Sequence, residues 1–165
     1  MEEFVKQLPE LAKDKHKANA AYFKKLKRKP PKDLDYRIQE LHDEAFDEID
    51  CLKCANCCKT TGPLFTDRDI SRLAKHFKMK DSQFIDTYLY RDEDGDYVLQ
   101  QLPCPFLGAD NYCMVYDVRP KACAEFPHTD RKKFQQIAHL TLKNVAICPA
   151  AFKVVEKMKE RIPVR

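Results

Sequence analysis

The chain has no tryptophan and only three glycines in 165 residues. Phosphate-cradling loops draw on glycine, so this scarcity leaves no candidate for one. Together with many Lys, Glu, Leu and Ala it favours helix over sheet. No run of about 18 apolar residues occurs, so no segment reads as membrane-spanning. No Ser–His–Asp arrangement suggests a nucleophilic hydrolase. Met1 to Leu11 carries Glu2, Glu3 and Lys6 and lacks an apolar stretch. That argues against a secretory signal and for the cytoplasm, where thiols stay reduced.

Charged residues make up 34% and hydrophobic residues 44%, which places the chain among soluble globular proteins. Its length suits one ordinary domain, and a chain of this size buries roughly 70% of its unfolded surface. Cysteines are therefore not needed merely as staples. The formal net charge is +4. Thiolates holding metal would cancel it, so the basic balance is weak evidence for nucleic acid. The Lys24 to Lys29 run and Arg131-Lys132-Lys133 lack interleaved aromatics, which argues further against a nucleic-acid partner.

The first fifty residues contain no cysteine and read as two helices. Pro9 suits a first helical turn, followed by Leu11, Ala18, Tyr22 and Leu26 at helical spacing, until Pro30-Pro31 stops the run. Asp33 is placed to cap a second helix whose stripe is Leu34, Ile38, Leu41, Ala45 and Ile49. The two form an expected antiparallel hairpin over 1–50, an extension that offers a surface for a protein partner. Its first arm is basic and its second acidic, so the arms should attract. Beyond it, 51–165 is expected to form a cysteine-rich domain. Thr66-Asp67-Arg68-Asp69 has the form of a capping box, and Asp81-Ser82 of another helix start. Asp94-Gly95 separates Tyr88-Leu89-Tyr90 from Tyr97-Val98-Leu99, a signal for one small hairpin. His128 to Ile147 and Pro149 to Arg161 read as helices. The fold class is thus mainly α, with at most one small β-hairpin.

All eight cysteines lie between Cys51 and Cys148. The first four, Cys51, Cys54, Cys57 and Cys58, have the two-residue spacers that let thiolates curl around one ion or cluster. On a continuous helix Cys51, Cys54 and Cys58 would share a face, with Cys57 about 100° away. The doubled Cys57-Cys58 therefore suits two separate metals, or one ligand beside a supporting residue. Cys104, Cys113, Cys123 and Cys148 are dispersed, and Cys104 and Cys148 each precede a proline that stiffens the turn. Eight thiolates suffice for two four-coordinate zinc sites, or for an iron–sulfur cluster with ligands to spare. The first group is expected to meet Cys104, Cys113 and Cys123 in space, while Cys148 stands farthest off in sequence. Tyr112 and Tyr116 flank Cys113 and should pack over it. Arg119 is a cation placed to offset a thiolate cluster from just behind the ligands.

The run Cys51-Leu52-Lys53-Cys54-Ala55-Asn56-Cys57-Cys58 carries a resemblance. So do Thr66-Asp67-Arg68-Asp69-Ile70, Cys104-Pro105-Phe106-Leu107 and the stretch from Cys113 through Arg119-Pro120 to Cys123 and Pro127. The sequence resembles the cysteine-cluster, or CxxCxxCC, family of zinc- or iron-chelating proteins from about Cys51 to Cys148. The resemblance implies metal chelation by these cysteines and leaves zinc and iron open. One branch looks like flagellin lysine methylases with an iron–sulfur cluster, which makes an enzyme one alternative. A metal carrier or sensor is the other.

Overall fold

The computed structural model describes every residue, Met1–Arg165. In chain order the helices are α1 (Glu2–Arg28), α2 (Leu34–Glu48), α3 (Cys51–Cys54), α4 (Asn56–Thr60), α5 (Asp67–His76), α6 (Asp81–Tyr88), α7 (Lys121–Glu125), α8 (Ala138–Asn144) and α9 (Pro149–Arg161). The strands are β1 (Leu64–Phe65), β2 (Leu89–Arg91) and β3 (Tyr97–Leu99). With two single-turn 3-10 helices, Tyr116–Val118 and Phe134–Gln136, the protein is 61% helical, in the mainly α class. No helix is long and apolar enough to cross a membrane. The chain divides into two compact units, one of Met1–Cys54 with Pro127–Arg165 and one of Ala55–Phe126.

The first unit is built on α9. Ala150, Ala151, Val154, Val155 and Met158 are all fully buried, because α9 is apolar on more than one side. It packs against both α1 and α2, and α1 also packs on α8. The expected hairpin is thus two helices that share α9 as a common partner. The buried apolar face of α1 is Leu8, Ala12, Tyr22, Phe23 and Leu26. Ala18 is exposed and Leu11 only half-buried, so the face that packs is offset from the expected stripe. The α2 stripe of Leu34, Ile38, Leu41, Ala45 and Ile49 is buried throughout. α1 begins at Glu2, ahead of Pro9, which lies inside the helix. Pro9 gives up one backbone hydrogen bond there. Burial of Leu8 and an edge-on contact between Phe4 and Phe152 (centroids 5.8 Å apart) hold the early turns in place.

The acidic α2 does not pair with the basic arm of α1. Glu44 meets Lys157 at 3.0 Å and Arg161 at 2.7 Å, and Glu48 meets Lys153 and Lys157, all from α9. The helix expected over His128 to Ile147 is also shorter. Lys133 adopts a left-handed φ of 57°, and the Asp35 carboxylate accepts the N–H groups of Lys133 at 2.8 Å and Phe134 at 3.3 Å. This side-chain cap from α2 ends any helix before Phe134, and α8 starts only at Ala138.

The second unit has its own core of Phe65, Ile70, Leu73, Ala74, Phe84, Leu89, Leu99, Phe106 and Val115. The rings of Phe77, Phe84, Tyr88 and Phe106 stack within it. Thr66 caps α5 with a full capping box: its hydroxyl accepts from Asp69 N–H, and the Asp69 carboxylate accepts from Thr66 N–H. α6 is capped from Lys80, with Gln83 reaching back to its N–H at 2.8 Å, so Asp81 is the first helical residue and not the cap. β2 and β3 form the expected antiparallel hairpin, and β1 adds a third strand by pairing Leu64 with Val98 and Phe65 with Tyr97. A two-residue strand carries no periodicity of its own, so only its partner reveals it.

Candidate metal centre

The first cysteine run is not one helix. Asp50 accepts the Leu52 N–H at 3.0 Å and starts the single turn α3, in which Cys51 and Cys54 stand at i and i+3 on one face. Ala55 then takes a left-handed φ of 50°, and Cys57 and Cys58 belong to a new short helix, α4. The single-face geometry of a continuous helix therefore does not apply. The break also coincides with the boundary between the units: Cys51 and Cys54 end the first, whereas Cys57 and Cys58 open the second.

In the first unit Cys51 and Cys54 have a third thiol near them. Cys148 precedes α9 as its N-terminal cap, and its Sγ accepts the Ala151 N–H at 3.5 Å. Burial pushes the Cys148 thiol up to about 12, and neighbouring Cys51 and Cys54 add to the rise. Distance in sequence thus misjudges Cys148, because the return of α9 to α2 carries it back. Cys51 itself is exposed.

In the second unit the remaining cysteines come together from separate segments. The Cys104 N–H donates to the Cys58 carbonyl at 2.8 Å, which ties the end of the first run to the start of the second. Cys104 opens a turn closed by Leu107 N–H to Cys104 O at 3.0 Å. Leu107 then pairs with Cys113 in an antiparallel bridge, flanked by Met114 N–H to Phe106 O at 2.8 Å. Cys123 follows on α7.

Burial pushes Cys104 up to about 11 and Cys123 up to about 12, and it raises Cys113 as well. In each of the three the nearby Cys58 contributes to the rise. Cys58 goes the other way: a hydrogen bond from the Cys57 thiol, aided by Lys59, draws it down to about 7 against the effect of burial. The four thiols share one partly desolvated neighbourhood, where the first to ionise raises the cost of the next. Arg119 is the counterweight, since its charge favours the thiolates of Cys113 and Cys123. Its guanidinium lies 4.0 Å from the centre of the Tyr116 ring, and Nη1 donates to the Tyr116 carbonyl at 2.7 Å. Tyr112 and Tyr116 are about half exposed and do not seal the thiols from water.

Nowhere do three His, Cys, Asp or Glu side chains converge on one ligating point. The donor set fits a thiophilic metal: soft sulfur ligands, partial desolvation and one nearby cation. Sequence reasoning missed Asp69 and Arg72, which bind the main chain leading into α7. Their only sequence signal is the capping box that contains Asp69.

Nothing among the curated proteins or the solved structures matches the chain. The model of the CxxCxxCC family, described as a putative zinc- or iron-chelating domain, matches residues 50–141, more than half of the chain. The matched stretch holds seven of the eight cysteines, and the chain belongs to the CxxCxxCC family.

Proposed function

We propose that the protein is a cytoplasmic metal-binding protein with two groups of cysteine ligands. Cys58, Cys104, Cys113 and Cys123 would hold one metal as a four-thiolate site, with Arg119 behind Cys113 and Cys123. Zn²⁺ or an iron–sulfur cluster satisfies four thiolates. The observation that carries the reading is that Cys58 bears electrostatically on Cys104, Cys113 and Cys123 alike, within one partly buried neighbourhood. A bound cation inverts the local cost of ionisation, so the burial that disfavours free thiolates strengthens their hold on metal. Cys57 takes a supporting part through its hydrogen bond to Cys58.

Cys51, Cys54 and Cys148 form the second group. Three thiolates leave a fourth position for an outside ligand, and Cys51 is exposed. That combination favours a carrier or sensor role for this group over a sealed structural one. The iron–sulfur enzyme alternative needs a substrate pocket beside the metal.

The test is elemental analysis with an ultraviolet–visible spectrum on protein purified without oxygen or a metal-affinity tag. The expected result is zinc, or iron with matching sulfide, bound in wild type and sharply reduced in Cys58→Ser. Wild-type metal content in Cys58→Ser and Cys104→Ser would sink the four-thiolate assignment. Brown colour with visible absorption selects iron–sulfur, and a colourless zinc protein selects chelation.

A further inference from the structure

Asp69 is the one charged residue that is fully buried, with 1% of its surface exposed. A buried carboxylate must be paired and hydrogen-bonded to be tolerated. Part of its pairing is local, since Oδ2 accepts the Thr66 N–H at 2.9 Å in the capping box. A capping box works equally well at a solvent-exposed helix end, so it does not explain the burial. The other oxygen reaches far along the chain: Oδ1 accepts from Arg72 Nη2 at 2.9 Å and from the Lys121 N–H at 3.1 Å.

Arg72 extends the same grip. Its Nη2 also donates to the Arg119 carbonyl at 2.8 Å, and its Nε donates to the Val118 carbonyl at 3.3 Å. Pro120 has no N–H to offer. Val118, Arg119 and Lys121 are thus each fixed by a main-chain hydrogen bond to one acid–base pair on α5. This segment carries the guanidinium that bears on Cys113 and Cys123, and it leads directly into α7, which presents Cys123.

We propose that Asp69 and Arg72 are positioning residues of the metal centre, a buried clamp on Val118–Lys121 that holds Arg119 and Cys123 in place beside Cys58, Cys104 and Cys113. The inference rests on the reading of those four thiols as ligands. The clamp acts through a main-chain segment, so its loss should loosen the grip on metal rather than remove a ligand.

The test uses the full-length chain loaded with Co²⁺, whose visible ligand-field bands and ultraviolet thiolate-to-metal bands report coordination. Release to a chelator is followed well below the melting temperature. Arg72→Ala is expected to release cobalt about ten-fold faster or more, the range set by loss of an outer-shell partner. Its ligand-field bands should shift, and Arg72→Lys should recover part of both effects. Lys121→Pro deletes the N–H that Asp69 accepts, together with an exposed 3.7 Å ion pair to Glu125, at a helical first position that suits proline, and should act in the same direction. Lys121→Ala, which loses the ion pair and keeps the N–H, should match wild type. Lys121→Pro carries the test if Arg72→Ala does not fold. Ile70→Val trims the core on the same helix and leaves every hydrogen bond of the clamp in place, so its release rate and bands should match wild type.

Wild-type release and bands in both Arg72→Ala and Lys121→Pro would overturn the clamp and leave the thiol assignment standing. An equal acceleration in Ile70→Val would also overturn it, since stability alone would then account for the effect. If wild type shows no thiolate-to-cobalt bands, or Cys58→Ser keeps them, the metal reading itself fails and the clamp falls with it.

Discussion

Ile162, the residue that closes α9, has no helical partner for its carbonyl, and the Tyr22 hydroxyl supplies one. It donates to Ile162 O at 2.7 Å and lies 3.2 Å from Met158 O. Tyr22→Phe should therefore cost about 1 kcal/mol of stability, the usual net worth of such a bond. Burial pushes the Tyr22 phenol from 10.0 up to about 12, with Arg37 opposing weakly. The raised value means the folded state favours the neutral phenol. That contribution is complete below pH 10 and is lost as pH rises towards about 12. Melting temperatures of wild type and Tyr22→Phe should draw together as pH rises from 10 and then cross, the phenylalanine variant becoming the more stable at the alkaline end. A constant gap between the two would show that the hydroxyl's ionisation is not coupled to folding.

α9 and α4 show how single elements place the thiols. Met158 is fully buried in the last turn of α9, so Met158→Ala should cost roughly 2–5 kcal/mol, read as a drop in melting temperature. A loss under about 1 kcal/mol would mean the site collapses freely around the gap. Two residues past α4 the chain turns at Gly62, whose φ of +70° suits glycine and whose N–H donates to Cys57 O at 3.0 Å. An added Cβ would also lie 3.2 Å from Leu102 and 3.3 Å from Leu99. Gly62→Ala should destabilise by about 1 kcal/mol or more. Unchanged stability would show that the Leu99 and Leu102 side chains yield and the turn relaxes.

Elements specified by neighbouring residues were legible in the sequence. The capping box at Thr66 and Asp69 and the five-residue stripe of α2 depend only on local spacing, and both stand as read. The α1 start, the break at Lys133 and the return of Cys148 depend on contacts made across the fold. Phe4 with Phe152, Asp35 with Lys133, and α9 with α2 decide these features, and none leaves a local pattern. The same holds for the candidate site. The eight cysteines announce themselves, but their division into two groups follows from the break at Ala55.

At the scale of the molecule, the two units differ in how much they can support alone. The first gathers nineteen buried residues into one core, whereas the second has nine. A unit of about seventy residues with a small core rarely folds with a comfortable margin and commonly relies on a staple. Metal at Cys58, Cys104, Cys113 and Cys123 would join three separate segments of the second unit and act as one. Its binding free energy would then be folding free energy for that unit. Removing metal with a strong chelator should therefore strip hydrogen-exchange protection from α5, α6 and β3. The amides of α1, α2 and the middle of α9 should keep theirs. Readdition of Zn²⁺ to wild type should restore the lost protection, and readdition to Cys104→Ser should not. Equal loss in both units would mean the metal holds the whole chain in one cooperative transition. No loss in either would mean the second core suffices and the thiols bind metal as cargo rather than as a staple.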